Sequence, residues 1–347
     1  MRRQVTKVRS RGEQVRRFIV SHVEKHPTDI ARFTAEHFGI TRQAVNKHLQ
    51  RLVEERALVS DGKTRSCTYR LYPLVQWLKE YELNDSLAED VVWRSDVEPS
   101  LSQLPENVRD IWHYGFTEMF NNAIDHAEGS SVEVLLRKNP AVTELAIVDN
   151  GIGIFRKIQA ELGLVDERHA ILELSKGKLT TDPANHTGEG IFFTSRVFDE
   201  FDILSGGVYF SHKFGDAEDW ILERARPKSG TVVWMELNNH TSRTLKKVFD
   251  QFTSDDALGF TKTVVPVRRA QYGEDKLVSR SQAKRLLARV ERFKTVILDF
   301  TEVESIGQAF ADEVFRVFAS RHPELELMAI KANSAVKSMI QRAKSAT

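Results

Sequence analysis

The chain has 347 residues, 41% of them hydrophobic and 29% charged, enough for two or three domains with cores of their own. Fifty basic against 49 acidic residues leave a net charge of +1, which excludes a uniformly basic nucleic-acid coat and an acidic disordered chain. The one cysteine, Cys67, excludes an internal disulfide and a multi-cysteine zinc site, and points to a reducing compartment.

No apolar run is long enough to span a bilayer, and no apolar signal core follows Met1-Arg2-Arg3. A soluble, cytoplasmic protein without a membrane partner is expected. The even charge balance hides an asymmetry. Residues 1–75 hold sixteen Lys/Arg and seven Asp/Glu, a local charge of +9, which leaves −8 on the remainder. A basic head on an acidic body predicts a polyanion-binding module at residues 1–75.

That head reads as three helices and a hairpin. Val15, Phe18, Ile19 and Val23 recur at helical spacing from about Glu13. His26-Pro27-Thr28 breaks the pattern, and Thr28 or Asp29 can cap a short second helix that ends at Gly39. Thr41 caps a third helix, from Arg42 to about Glu55, with Val45, Leu49, Leu52 and Val53 on one face. Its other face carries Arg42, Gln43, Asn46, Lys47 and Gln50, donors long enough to reach phosphates and base edges. Asp61-Gly62-Lys63 between two β-prone runs predicts a hairpin.

This order of elements is that of a winged helix-turn-helix, and ITRQAVNKHLQRLVEERALV resembles the recognition helix and wing entry of bacterial winged-helix regulators. The resemblance implies DNA as partner. Arg42, Gln43, Asn46 and Lys47 would face the major groove, and Lys63 and Arg65 on the wing would meet phosphate or the minor groove.

Residues 76–98 read as a connector. Leu74, Trp77, Leu78 and Tyr81 suit a helix, Asn84-Asp85-Ser86 a turn, and Val91-Val92-Trp93 a short strand or docking segment. A long helix is predicted from Glu106 to Ala127. On it Glu118, Asn122 and Asp125 fall at i, i+4 and i+7, one face of the helix. A carboxylate and an amide stacked in this way can hold a hydrated Mg²⁺ and orient a water.

A strand, Ser131 to Leu136, follows. The next strand runs into Asp149-Asn150-Gly151-Ile152-Gly153. A carboxylate at a strand end can accept from a purine amino group, and glycines let backbone approach a flat base. Thr187-Gly188-Glu189-Gly190 opens a helix-like run to Phe198, and glycines at a helix start present N–H groups to phosphate. Gly230-Thr231 then leads into a strand from Val232 to Leu237.

Each piece alone is common. In this order they resemble the Bergerat-fold (GHKL) ATPases: gyrase, Hsp90, MutL, histidine kinases and anti-sigma serine kinases. The resemblance covers about residues 100–238. It implies ATP and Mg²⁺ as cofactors, with Asn122 ligating the metal and Asp125 beside it. Asp149 would read the adenine amino group, with Gly151 and Gly153 against the base. Thr187, Gly188 and Gly190 would cradle phosphates, and Thr231 would support the water network at the adenine. Glu118 stands where the gyrase and MutL branches place their general base. Residues 155–187 would be the lid, a long polar gating loop in which Lys176 and Lys178 read as solvated or phosphate-reaching lysines. His113 and His126 read as packing residues or as supports just behind the site, not as phosphoacceptors. No His-Glu phosphoacceptor hairpin precedes the helix, which argues against a complete histidine kinase.

Beyond a linker helix at 241–258, with a hinge at Ser254-Asp255-Asp256, strands and helices alternate. Strands are expected at Thr263–Val267, Thr295–Phe300 and Leu325–Ile330, and helices at Ser279–Phe293, Gln308–Ala319 and Ser334–Ala343. VILDFTEVESIGQAFADEVFRVF resembles the strand-turn-helix of STAS domains, especially the STAS-like DUF4325 group. In STAS antagonists a serine at the start of this helix is phosphorylated. The matching positions here are Gln308 and Ala309, without a hydroxyl, and Ser305 lies three residues earlier. A role for residues 259–347 in binding a protein partner, or the ATPase domain itself, follows.

The expected fold class is therefore multidomain α+β: a winged helix (1–75), a Bergerat-fold α/β sandwich (99–240) and a small α/β STAS-like domain (259–347). The leading expectation is an ATP-responsive, slowly hydrolysing DNA-binding regulator with Glu118 as general base. It would bind DNA through residues 1–75 and a protein partner at the STAS-like domain, as a homodimer on a palindromic site. The alternatives are a serine/threonine kinase of anti-sigma type acting on a STAS-like partner, a clamp ATPase in the gyrase and MutL manner, and a non-hydrolysing ATP sensor. No second transducer domain of the clamp kind is evident after residue 240.

Overall fold

The computed structural model describes residues 2–62, 67–178, 188–215, 220–253, 260–270 and 276–345. The chain divides into two compact units. The first comprises Met1–Lys79, Val134–Leu145 and Glu236–Thr241, and the second Glu80–Glu133, Ala146–Met235 and Ser242–Thr347.

The first unit begins with α1 (Arg2–His22), α2 (Ile30–Phe38) and α3 (Arg42–Glu54). α1 starts earlier than the apolar spacing predicts. Its first ten residues are mostly polar, with Val5 and Val8 among them, but they hold four Arg and no proline, so propensity carries the helix upstream. Val15, Ile19 and Val23 of α1, Ile30 and Ala35 of α2, and Val45, Leu49 and Leu52 of α3 share one buried cluster. Gly39 ends α2 with a left-handed φ of 61°, and Thr41 caps α3 by accepting from Ala44 N at 3.2 Å.

Strands β1 (Leu58–Asp61) and β2 (Thr68–Leu71) pair antiparallel, with Leu58 opposite Leu71, and both leucines close the cluster. The Glu24 carboxylate accepts from Leu71 N at 2.8 Å, which fastens the end of α1 to the hairpin.

Two local expectations are corrected beyond the hairpin. Residues 75–82 form a strand, β3 (Val75–Glu82), and not a helix. Trp77 and Tyr81 are four apart, a spacing that puts both on one face of either element, so the apolar pattern alone does not separate the two. Val91, Val92 and Trp93 lie in a helical run and not a strand. It consists of α4 (Glu89–Val92), a π-helical turn (Trp93–Val97) and α5 (Glu98–Leu101). Trp93, Val97 and Leu101 recur every four residues on its buried side.

Helix α6 (Glu106–His126) buries Trp112, Phe116, Met119 and Phe120 along one face. The Phe116 and Phe120 rings stack at 5.0 Å, and burying each is worth about 1.5–3 kcal/mol. β4 (Ser131–Lys138), β5 (Val142–Asp149), β6 (Glu200–Lys213) and β7 (Trp220–Asn238) join β3 in a five-stranded sheet of order β3-β4-β5-β7-β6. Within the first unit, Ala141 in the turn between β4 and β5 packs against the cluster of α1–α3.

Residues 154–176 are two helices, α7 (Ile154–Leu162) and α8 (Glu167–Lys176), and not a polar loop. Every residue from His169 to Lys176 is buried. The remainder of the expected lid, residues 179–187, lies outside the described residues. α9 (Gly190–Val197) follows and packs close to α6, where a Cβ on Gly115 would run into the Phe198 ring.

The expected linker helix is one turn, α10 (Leu245–Phe249), continued by a 3-10 turn (Asp250–Phe252); the hinge at 254–256 lies outside the described residues. Beyond it, β8 (Lys262–Pro266), β9 (Thr295–Asp299) and β10 (Glu326–Ile330) form a parallel sheet of order β10-β9-β8. α11 (Arg280–Leu287) carries a capping box at Ser279 and Gln282. It ends six residues short of Phe293, because Arg289 turns the chain with a φ of 60°. α12 (Gln308–Asp312) runs through a π-helical segment (Glu313–Phe318) into α13 (Ala319–Arg321), and α14 (Ser334–Ser345) closes the domain.

Candidate functional site

The site is assembled in the second unit, at the end of β5. Asp149 is the last residue of that strand and is 9% exposed. Its Oδ1 accepts from Gly151 N at 2.9 Å and from Thr231 N at 3.2 Å. Burial raises the Asp149 pKa, and the two backbone donors partly offset it. Thr231 lies on β7 and accepts at Oγ1 from Ile154 N at 3.0 Å, which ties the first turn of α7 to the sheet.

The turn after Asp149 requires glycine twice. A Cβ on Gly151 would collide with the Ala127 carbonyl, and Gly153 has a φ of 92°. Asn150 holds the turn from the other side, accepting at Oδ1 from Ser130 N at 2.8 Å and Ser131 N at 3.2 Å.

A pocket opens beside Asp149. Its lining includes Asn122, Met119, Ala123 and His126 from α6, Ile147 and Asp149 from β5, Ile154, Ile191, Ile203, and Thr231 and Val233 from β7. An apolar slot with a carboxylate, an amide and a hydroxyl at its rim is the usual form of a small-molecule site. Glu118, one turn before Asn122, meets the start of α9, where a Cβ on Gly190 would collide with its carboxylate. A carboxylate at that position complements the positive end of a helix. Tyr114, a further turn back on α6, has its pKa raised by burial and by the fields of Glu118 and Glu189. Burial also raises the Glu189 pKa, and Lys178 opposes the shift.

Asn122, Asp149 and Thr231 thus line one pocket, with Gly151 and Gly153 in the turn below it and Glu118 against Gly190 at its flank. Asp125 is exposed and is not among the lining residues. Gly188 is half-buried with a φ of 70°; Thr187 lies outside the described residues. His113 packs on the Trp93 ring at 4.9 Å, and His126 lines the pocket.

Ser205 escapes a reading by motif. It donates to the Gly230 carbonyl at 3.3 Å and sits 3.5 Å from Thr231 Oγ1. Its one signal is the Ser205-Gly206-Gly207 interruption of an apolar strand. The apolar lining is also invisible in the motifs, since Ile191, Ile203 and Val233 come from three distant segments.

Lys176 corrects the expectation of a solvated lysine. It is 1% exposed, and its Nζ donates to Glu173 Oε1 at 2.7 Å, to the Ala288 carbonyl at 2.8 Å and to the Arg285 carbonyl at 3.0 Å.

In the first unit, Arg42, Gln43, Asn46 and Lys47 are all exposed on α3, opposite Val45, Leu49 and Leu52. Lys63 and Arg65 lie outside the described residues. Among the described residues no helix is long and apolar enough to cross a membrane.

Comparison with known families identifies the C-terminal region. Residues 282–337, from α11 into α14, match the family described as a STAS-like domain of unknown function (DUF4325). No curated protein matches the chain. The architecture is mixed α+β with a STAS-like C-terminal region.

Proposed function

We propose that this protein is an ATP-binding, slowly ATP-hydrolysing regulator of the GHKL type that binds DNA through a winged-helix head at residues 1–75. The observation that carries the reading is the convergence of Asp149, Thr231 and Asn122 on one pocket, with Glu118 at the glycine start of α9 beside it. These residues span more than 110 positions of sequence, so their meeting owes nothing to local spacing.

The residue types fit a nucleotide. The Asp149 carboxylate can accept from the adenine amino group while Gly151 N and Thr231 N hold it in place. Ile154, Ile203 and Val233 supply apolar walls for a flat base. Asn122 and Glu118, one turn apart, suit a Mg²⁺ that keeps most of its water and takes its other ligands from phosphate. Among the described residues no group of three or more His, Cys, Asp or Glu could hold a metal by itself, which agrees with a cation brought in by the nucleotide. Bound ATP supplies the transferable γ-phosphoryl group. Glu118 would take a proton from a water that attacks the γ-phosphorus, with the bond to the β-phosphate oxygen breaking and ADP leaving.

The head supplies the second activity. Four exposed polar or basic residues on α3 and a local charge of +9 suit a duplex backbone and major groove. The nucleotide state is read out as a change in DNA affinity, and the STAS-like domain takes a protein partner. A two-fold assembly on a palindromic site and a cytoplasmic location belong to the same proposal.

The test is Mg²⁺-dependent ATP turnover by the wild type and by Glu118→Gln, following both free phosphate and labelled protein. Free phosphate that is lost in the variant supports a hydrolase with Glu118 as base. Labelled protein instead of free phosphate would replace this reading with a serine/threonine kinase and direct attention to Ser305, which is exposed in the loop before α12. Tight binding without turnover in either form would leave a nucleotide sensor.

A further inference from the structure

The C-terminal sheet is parallel throughout and adds its strands in one direction, β8, then β9, then β10. Crossovers between parallel strands are right-handed almost without exception. Two of them made in the same direction put their helices on one face. Here these are α11, between β8 and β9, and the run from α12 to α13, between β9 and β10. α14 packs against α12 and joins that layer. The strands record the result: Thr263, Val265, Val296 and Leu298 are fully buried and alternate onto one side of the sheet.

The opposite face receives no crossover. Its residues stand in three rows across the strands: Lys262, Thr295 and Glu326; Val264, Ile297 and Met328; Pro266, Asp299 and Ile330. Exposure rises along the middle row, from half-buried Val264 and Ile297 to Met328 at 42%. The Thr295 hydroxyl donates to Glu326 Oε2 at 3.1 Å, which holds that carboxylate on the open face. Parallel sheets occur almost only with both faces covered. An apolar row across three parallel strands, with helices on the other side alone, is therefore an incomplete layer.

Charge along the first row points to what completes it. Lys262 stands on one edge strand and Glu326 on the other. A two-fold axis along the strands lays the sheet on a copy of itself, with β8 of one copy over β10 of the other. Lys262 then faces Glu326 of the second copy, twice by symmetry. Val264 faces Met328, and Ile297 faces its own equivalent. In the last row Asp299 already carries Lys331 at 3.0 Å, so no bare like charges meet. A face complementary to itself is what an isologous dimer requires.

We propose that the open face of the C-terminal sheet is a self-association surface, on which a second copy of this chain packs sheet to sheet through Val264, Ile297 and Met328, with Lys262 of each copy against Glu326 of the other. Facing sheets lie about 10 Å apart, within reach of these side chains. The face is small beside the roughly 800 Å² per partner of a standard interface, so the pair is reversible and depends on concentration. It gives a surface to the two-fold assembly of the proposed function. It needs neither nucleotide nor DNA to form, so its failure and that of the nucleotide reading are separate results.

The test is sedimentation velocity of the full chain, without nucleotide or DNA, over a concentration series at low salt. The wild type should pass reversibly from monomer to dimer. Lys262→Glu and Glu326→Lys should each weaken self-association by about tenfold or more, because each sets like charges opposite one another. An equimolar mixture of the two variants should recover the dimer, since every altered charge then meets its opposite in the other chain. Pairing within one chain cannot produce that recovery. Met328→Asp, at an exposed position, should also abolish the dimer while circular dichroism shows the monomer still folded. A wild type that stays monomeric throughout, or a dimer that none of these variants weakens, overturns the proposal. A mixture that fails to recover the dimer overturns the facing of Lys262 and Glu326, and with it the proposed packing.

Discussion

At the scale of single residues, Asp149 sets function against stability. Burial raises its pKa, so the folded protein holds the carboxyl proton more tightly than the unfolded chain does. The stabilising contribution of the protonated form is complete below the ordinary aspartate range. It is lost as pH rises through the raised folded value, so at neutral pH the buried charge weakens the fold. Asp149→Asn keeps an oxygen for Gly151 N and Thr231 N and removes the charge. The variant should melt at or above the wild-type temperature at pH 7, with the difference shrinking toward pH 3, while adenine-selective binding is lost. Retained adenine selectivity would sink the assignment of the pocket. Asp149, Asn122 and Glu118 were legible in the sequence because each sits in a short motif whose spacing has a chemical reason. Ser205 was not, because a lone serine in a strand carries no spacing.

At the scale of elements, the helices of the head follow from local chemistry. Thr41 caps α3 through Ala44 N, and such a cap is worth about 1 kcal/mol. Thr41→Ala should lower the stability of the full chain by that amount in thermal unfolding and weaken DNA binding with no change in contact residues. α8 behaves differently. Its sequence, Glu-Arg-His-Ala-Ile-Leu-Glu-Leu-Ser-Lys, has charged ends that suit solvent, yet residues 169–176 are buried. Glu173 and Lys176 neutralise each other one turn apart, and the carbonyls at the end of α11 complete the shell. A polar segment can enter a core when its partners come from elsewhere, and those partners lie more than 100 residues away. The strand at β3 is ambiguous in sequence for a related reason: a four-residue apolar spacing satisfies both helix and strand, and pairing in the sheet decides between them.

At the scale of the whole molecule, charge is unevenly divided, with +9 on residues 1–75 and −8 on the rest. On the proposed function, a basic head on an acidic body would favour polyanions at the head over the rest of the chain. Arg42→Ala combined with Lys47→Ala should reduce DNA affinity and flatten its dependence on salt, each lost phosphate contact removing about one unit of slope. An unaltered salt slope would mean that the exposed face of α3 does not meet DNA. ATP turnover and fold stability should be unchanged in this variant, since both side chains are exposed and neither is part of the core of α1–α3.

The amino-acid sequence by itself determined the three helices and hairpin of the head, the cap at Thr41, the glycine turn after Asp149 and the STAS-like character of the C-terminal region. All are decided within a few residues by sterics and local hydrogen bonds. Tertiary structure alone decided that Glu118 meets Gly190, that Ile191, Ile203 and Val233 form one apolar lining, and that Lys176 caps a helix in another part of the chain. Those outcomes depend on which distant surfaces bury each other, and no local periodicity records that choice.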